Sequence, residues 1–175
     1  DIVYLVGGIH DIKSGVIRTV GQPLRRFNED RLRILRTLRF AATYGFSIDG
    51  YTSNAILNDN RLFGISDIDD VSLSRVFGEF VKVEEKTISN PDALKKFFEL
   101  MLGYGMFNQL FDLSLNSDIK RTKYLSVALA QLLKDNIPDS NFNDILASVN
   151  IPNKHITIIG ILIKIYQDGI TPQNV

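Results

Sequence analysis

The run that decides how this chain folds is Arg25-Arg26-Phe27-Asn28-Glu29-Asp30-Arg31-Leu32-Arg33-Ile34-Leu35-Arg36-Thr37-Leu38-Arg39-Phe40. Asn28 is suited to accept hydrogen bonds from the N–H groups of a first helical turn, and Glu29 and Asp30 put negative charge where the helix dipole favours it. The run therefore predicts a long helix capped by Asn28 and closed by Gly45. Leu32, Ile34, Leu35, Leu38, Phe40 and Ala42 give that helix an apolar stripe that must face a core.

The polar positions carry the chemistry. Asp30, Arg33, Arg36 and Arg39 recur every third residue, and each step turns about 60° short of a full circle, so neighbours in the series can share a site. A carboxylate only accepts hydrogen bonds and a guanidinium only donates them. Asp30 and Arg33 together match an edge with a donor beside an acceptor, as cytosine offers at N4 and N3 and adenine at N6 and N1. Uracil and guanine present the opposite order. The plain alternative is a solvated helix face laced with i,i+3 and i,i+4 ion pairs.

The 175 residues suffice to bury a core, and 45% hydrophobic with 23% charged residues describes a globular chain. Lys plus Arg and Asp plus Glu both number 20, so any nucleic-acid contact must come from a local patch. The arginines from Arg18 to Arg39, facing few acids, are the candidate. Without Cys there is neither disulfide nor thiolate metal site, consistent with a reducing, cytoplasmic setting. No uninterrupted apolar run approaches a membrane span and no signal peptide is recognisable, so no membrane partner is expected. The chain opens on Asp1 rather than Met, and we expect a piece of a longer protein.

Ile2 to Val6 and Val16 to Val20 read as strands punctuated by Gly7-Gly8, Gly21 and Pro23. Two strands alone are marginal in water, which implies a larger sheet. Gly7-Gly8 reads as a turn, and Asp11 as a turn residue before a catalytic one. Thr52 is expected to cap a helix to Asn60, and Ser72 one to Lys86, with Arg75 and Glu79 paired i,i+4 on its face. Further helices are expected from Asn90 to Gly103, Met106 to Phe111, Asp118 to Leu133, Phe142 to Val149 and Ile151 to Gln167. Everything after Gly21 is thus mainly α. Phe97, Phe98, Tyr104, Phe107 and Phe111 read as core, and Lys95, Lys96, Lys120, Arg121, Lys123, Lys154 and Lys164 as solvated surface before RNA contacts.

One family shares these residues in order. Gly7-Gly8-Ile9-His10-Asp11-Ile12, Val16-Ile17-Arg18-Thr19-Val20-Gly21, Arg26 to Ala42, Gly45-Phe46, and Ser72-Leu73-Ser74-Arg75-Val76 with Glu79 and Lys82 resemble class II tRNA nucleotidyltransferases. These are the CCA-adding enzymes and the similar bacterial poly(A) polymerases. The likeness is strong over the first half and thin afterwards, at Ala128-Leu129-Ala130 with Leu132-Leu133. It implies Watson–Crick-like bonds from Asp30 and Arg33 to an incoming CTP or ATP, with Glu29 orienting them. Arg36 and Arg39 match positions that also line the nucleotide site, and Arg75 with Glu79 would brace its helix.

The resemblance divides the chain into the end of a catalytic head (1–24), a neck with the base-reading helices (25–90) and a helical body that can bind RNA (91–175). It implies a tRNA or other RNA 3′ end as partner. It also implies Mg2+ held by an Asp-x-Asp strand that family members carry before the matching region. Asp67-Ile68-Asp69 sits in a loop and does not replace that strand. No catalytic or metal-binding residue is therefore expected in these residues, and activity would require that head, in this or another polypeptide. The competing expectation is a non-catalytic RNA-binding or scaffold module. CCA addition and polyadenylation are not separable by these motifs, and oligomeric state is open.

Overall fold

The computed structural model describes residues 6–58, 73–111, 119–135, 146 and 151–168. Among them are helices α1 (Gly8–Ser14), α2 (Pro23–Glu29), α3 (Leu32–Tyr44), α4 (Gly50–Asn58), α5 (Leu73–Lys86), α6 (Ala93–Gly103), α7 (Met106–Phe111), α8 (Leu125–Leu133) and α9 (Asn153–Gln167). Two short strands, β1 (Val16–Ile17) and β2 (Ser47–Ile48), pair in parallel. The expected class, mainly α with two short strands, is what is found. The partner of β1 is β2, however, and Ile2 to Leu5 lie outside the described residues.

α3 is central. Ile34, Leu35, Leu38 and Ala42 are buried, and the helix packs on α5 and α6. Around it, Phe80, Phe97, Phe98 and Phe107 meet edge to face at centroid separations of 5.4–5.7 Å, a favoured aromatic geometry. The aromatics read as core are core at Phe97, Phe98 and Phe107, while Tyr104 is half-buried and bonds Ser53 at 2.8 Å. α8 packs on α9, extending the same core through Leu129, Leu132, Ile159 and Ile163. No described helix is long and apolar enough to cross a membrane.

Side chains from distant elements close the helix ends. Asn90 Nδ2 donates to the Ala42 and Thr43 carbonyls at 3.1 and 3.0 Å, satisfying acceptors left over where α3 stops at Gly45 (φ 71°). Glu84 of α5 accepts from the Leu125 N–H at 2.7 Å, capping α8 from outside its own sequence. Asn90→Ala should therefore lower unfolding free energy by about 1–2 kcal/mol, since it strips two buried carbonyls of their partner. Urea denaturation checks this, and an unchanged midpoint would show that the cap is immaterial.

Local readings shift at several places. Gly7, at φ 69°, stands immediately before α1 and Gly8 is its first residue, so the pair opens a helix rather than forming an isolated turn. Asp49, not Thr52, caps α4: its Oδ2 accepts from the Thr52 backbone N and hydroxyl at 3.2 and 3.3 Å. The helix expected from Asn90 begins at Ala93, because Asn90 Oδ1 turns back to the Asp92 N–H. The helix expected from Asp118 begins only at Leu125, since Lys120-Arg121-Thr122-Lys123 offers no apolar period and Gln131 Oε1 takes the Lys120 N–H. Ser72, Asp118 and all of Phe142 to Val149 except Leu146 lie outside the described residues.

Candidate functional site

The predicted single helix from Asn28 is two helices. Pro23 stands at the start of α2, where its missing N–H costs nothing, and Asn28 falls in the last turn of that helix. Asp30 then adopts an extended backbone (φ −158°, ψ 104°) that breaks the run. Its Oδ1 accepts from the Leu32 N–H at 3.1 Å and opens α3. The cap is thus Asp30, two residues later than expected, and Glu29 closes α2 instead of starting α3.

Asp30 and Arg33 do not pair with each other among the described contacts. Asp30 Oδ2 accepts from Arg75 Nη2 of α5 at 3.2 Å. Arg33 Nη1 donates to the Arg26 carbonyl at 2.9 Å and to Glu29 Oε2 at 2.7 Å. A carboxylate has about four lone-pair positions and a guanidinium about five N–H donors, so both groups retain outward valence. Their side chains are 25% and 32% exposed, enough for a ligand to reach them.

Glu29 is the hub of the arginines at this end, with Arg26 and Arg33 on Oε2 and Arg25 3.7 Å from Oε1. The Arg33 hydrogen bond, with the fields of Arg26 and Arg25, holds its carboxyl below the ordinary range against a smaller opposing effect of desolvation. A lowered folded-state value means that the pairing contributes stability above the ordinary carboxylate range and loses it as pH falls through that lowered value. In Arg33→Ala the Glu29 carboxyl resonance should titrate at higher pH than in the wild type; an unmoved midpoint would show that Arg33 does not hold it.

Arg36 is exposed and has no ion pair among the described residues. Arg39 turns inward. Its Nε donates to Glu79 Oε2 at 2.6 Å, its Cζ lies 4.1 Å from the Phe40 ring centroid, and Lys82 Nζ reaches Glu79 Oε1 at 2.7 Å. Arg75 and Glu79 therefore do not pair with each other as their spacing predicts; each reaches across to α3 or its cap. α5 grips α3 at both points.

The sequence reading missed a second polar node. Arg18 Nε donates to both Asp11 oxygens at 3.2 Å, and Nη1 to Asp49 Oδ1 at 2.6 Å, tying α1 and β1 to the start of α4. Asp11 thus lies within α1 as an ion-pair partner and not in a turn. Beside this node is a cavity of about 610 Å3, walled mainly by Ile12, Val16, Ile17, Val20, Phe40 and Phe46. The Asp49-x-x-Thr52 spacing was the available signal for the cap; nothing local pointed to Arg18. The arginine run is accordingly less basic than its composition suggests, because Arg18, Arg25, Arg26, Arg33 and Arg39 all meet carboxylates.

Among the described residues no group of three or more His, Cys, Asp or Glu side chains gathers as a metal-ligand set. Among the described residues, then, no side chain is assigned to the Mg2+ that the resemblance implies. Asp67 and Asp69 lie outside the described residues.

No protein-family model matches the chain. Curated relatives do. The CCA-adding enzyme of Staphylococcus saprophyticus is 30% identical over 166 residues, 90% of this chain and 38% of that protein. That of Staphylococcus epidermidis is 35% identical over 136 residues, 73% of this chain and 32% of that protein. The chain thus spans well under half the length of these relatives. Two solved structures share its fold: a tRNA-processing enzyme in apo form, with TM-score 0.71 at 19% identity over 94% of this chain and 47% of that one, and a tRNA-processing enzyme with CTP, at 0.64, 20%, 87% and 45%. Sequence relatives and shared fold agree: the chain is homologous to part of the CCA-adding enzymes.

Proposed function

We propose that this chain supplies the base-reading part of a template-independent RNA 3′-end nucleotidyltransferase, with CTP and ATP as the nucleotides read. Asp30 accepts from the exocyclic amino group, and Arg33 donates to the adjacent ring nitrogen. The observation that carries this reading is the break between α2 and α3. It exposes one acceptor and one donor a helical turn apart, each held by an internal partner yet with valence to spare. Held groups lose less entropy on binding than mobile ones, so the pair is preorganised for a planar edge.

In this reading Glu29 and Arg75 are positioning residues. Glu29 steadies Arg33 and Arg75 steadies Asp30, while Glu79 anchors α3 through Arg39. Arg36, exposed along the same helix, adds positive charge for the triphosphate. Residues 1–24 would end the catalytic head, 25–90 form the neck and 91–175 the body that meets RNA. The Mg2+-dependent chemistry would reside in a head that these residues do not include, and CCA addition and polyadenylation would use this site alike.

The solved relative holding CTP and the curated CCA-adding enzymes favour the nucleotide reading over a purely scaffolding one. Equilibrium binding of CTP, ATP, UTP and GTP to the chain tests it. CTP and ATP should bind about tenfold or more tightly than UTP and GTP, the scale of a hydrogen bond to a charged group. Equal affinities would refute base reading and leave only the fold.

A further inference from the structure

At the end of α3 remote from Asp30, a cleft of about 470 Å3 is lined by Pro91, Arg121, Thr122, Lys123 and Tyr124. The segment is pinned in place. The Thr87 hydroxyl reaches the Lys123 carbonyl at 3.4 Å, and Gln131 holds the Lys120 N–H at 2.8 Å. At the start of the helix behind it, Glu84 accepts from the Leu125 N–H, and the charged side chains of the segment are exposed. Lys120, Arg121 and Lys123 are exposed, and Arg121 pairs with the exposed Asp92 at 3.1 Å. Tyr124, which lines the cleft with Arg121 and Lys123, is 66% exposed, although its neighbours Leu125 and Ser126 are buried.

A large aromatic ring left in water beside three cations is a poor core residue and a good stacking platform. We propose that Lys120, Arg121, Lys123 and Tyr124 form a contact surface for single-stranded RNA, the cations on successive phosphates and one base stacked on the Tyr124 ring. This rests on the RNA-directed reading above and assigns it a place. A weak surface pair such as Arg121–Asp92 exchanges readily for a phosphate, because two exposed charges hold each other only slightly. Stacking is indifferent to which base is presented, so the surface would bind RNA without sequence preference, unlike the site at Asp30.

The test is fluorescence anisotropy of a short labelled single-stranded RNA with the 175-residue chain across a salt series. Affinity should fall with salt at a log–log slope of about −2, as for three phosphate contacts on a single strand. The triple change Lys120→Ala, Arg121→Ala and Lys123→Ala should flatten that slope. Tyr124→Ala should weaken binding about tenfold while Tyr124→Phe keeps it, with circular dichroism confirming that each variant is folded. Variants that bind as the wild type does would overturn this surface while leaving RNA binding elsewhere intact. A wild type that ignores RNA would overturn both the surface and the RNA arm of the proposed function, leaving nucleotide discrimination to stand or fall separately. Equal competition by a polyglutamate peptide would also overturn it, since charge without stacking would then suffice.

Discussion

Glu79→Ala should destabilise this protein more than any other single change at the site, lowering its unfolding free energy by about 3–5 kcal/mol. The Glu79 carboxylate is 1% exposed and bridges Arg39 of α3, itself 11% exposed, to Lys82 of its own helix. Removing the acid leaves the Arg39 guanidinium buried without a counter-charge, and that uncompensated cation supplies most of the cost. Lys82 is 53% exposed, so Lys82→Ala should cost less than about 1 kcal/mol. Replacing both buried partners, Arg39→Met with Glu79→Leu, should recover much of the loss, because burying the pair was itself costly. Chemical denaturation of the four proteins decides the matter. A Glu79→Ala variant as stable as Lys82→Ala would show that α5 does not hold α3 through this carboxylate.

The second large effect concerns selectivity. Asp30→Asn keeps the side-chain shape and an oxygen able to cap Leu32, but it replaces an acceptor with an N–H donor facing Arg75 and, in the proposed function, the incoming base. A donor there repels the amino group of cytosine and accommodates the carbonyl of uracil. The preference for CTP over UTP should therefore fall from about tenfold or more to about twofold or less, the change expected when one charge-assisted hydrogen bond is lost. Arg75→Ala should act in the same direction and more weakly, since Asp30 would keep its Leu32 bond while losing the partner that fixes its second oxygen.

How much of this was legible in the sequence depends on whether the deciding interaction is local. The α3 stripe follows from periodicity alone, and Gly45 stops the helix as expected because it can take the left-handed conformation there. The break at Asp30 was hidden because Asn28 and Asp30 are equally good caps. Pro23, at the proper distance to start a separate helix, was the signal that favoured the later one. The partners of Arg75 and Glu79 were not legible. Spacing shows that the two can face one another, but not that Asp30 and Arg39, 45 and 40 positions away, compete for them successfully. β2 is two residues long, too short for any alternation to register, and only its pairing with β1 defines it. The candidate base-reading pair was proposed from donor and acceptor order. Its supporting contacts needed coordinates.

Asp30 and Arg33 as a stand-in for a template base is the claim on which the rest depends, and direct titration of CTP and UTP into wild-type and Asp30→Asn protein is its sharpest test. The account predicts a wild type that distinguishes the two nucleotides and a variant that scarcely does. Identical preference in both proteins would contradict it.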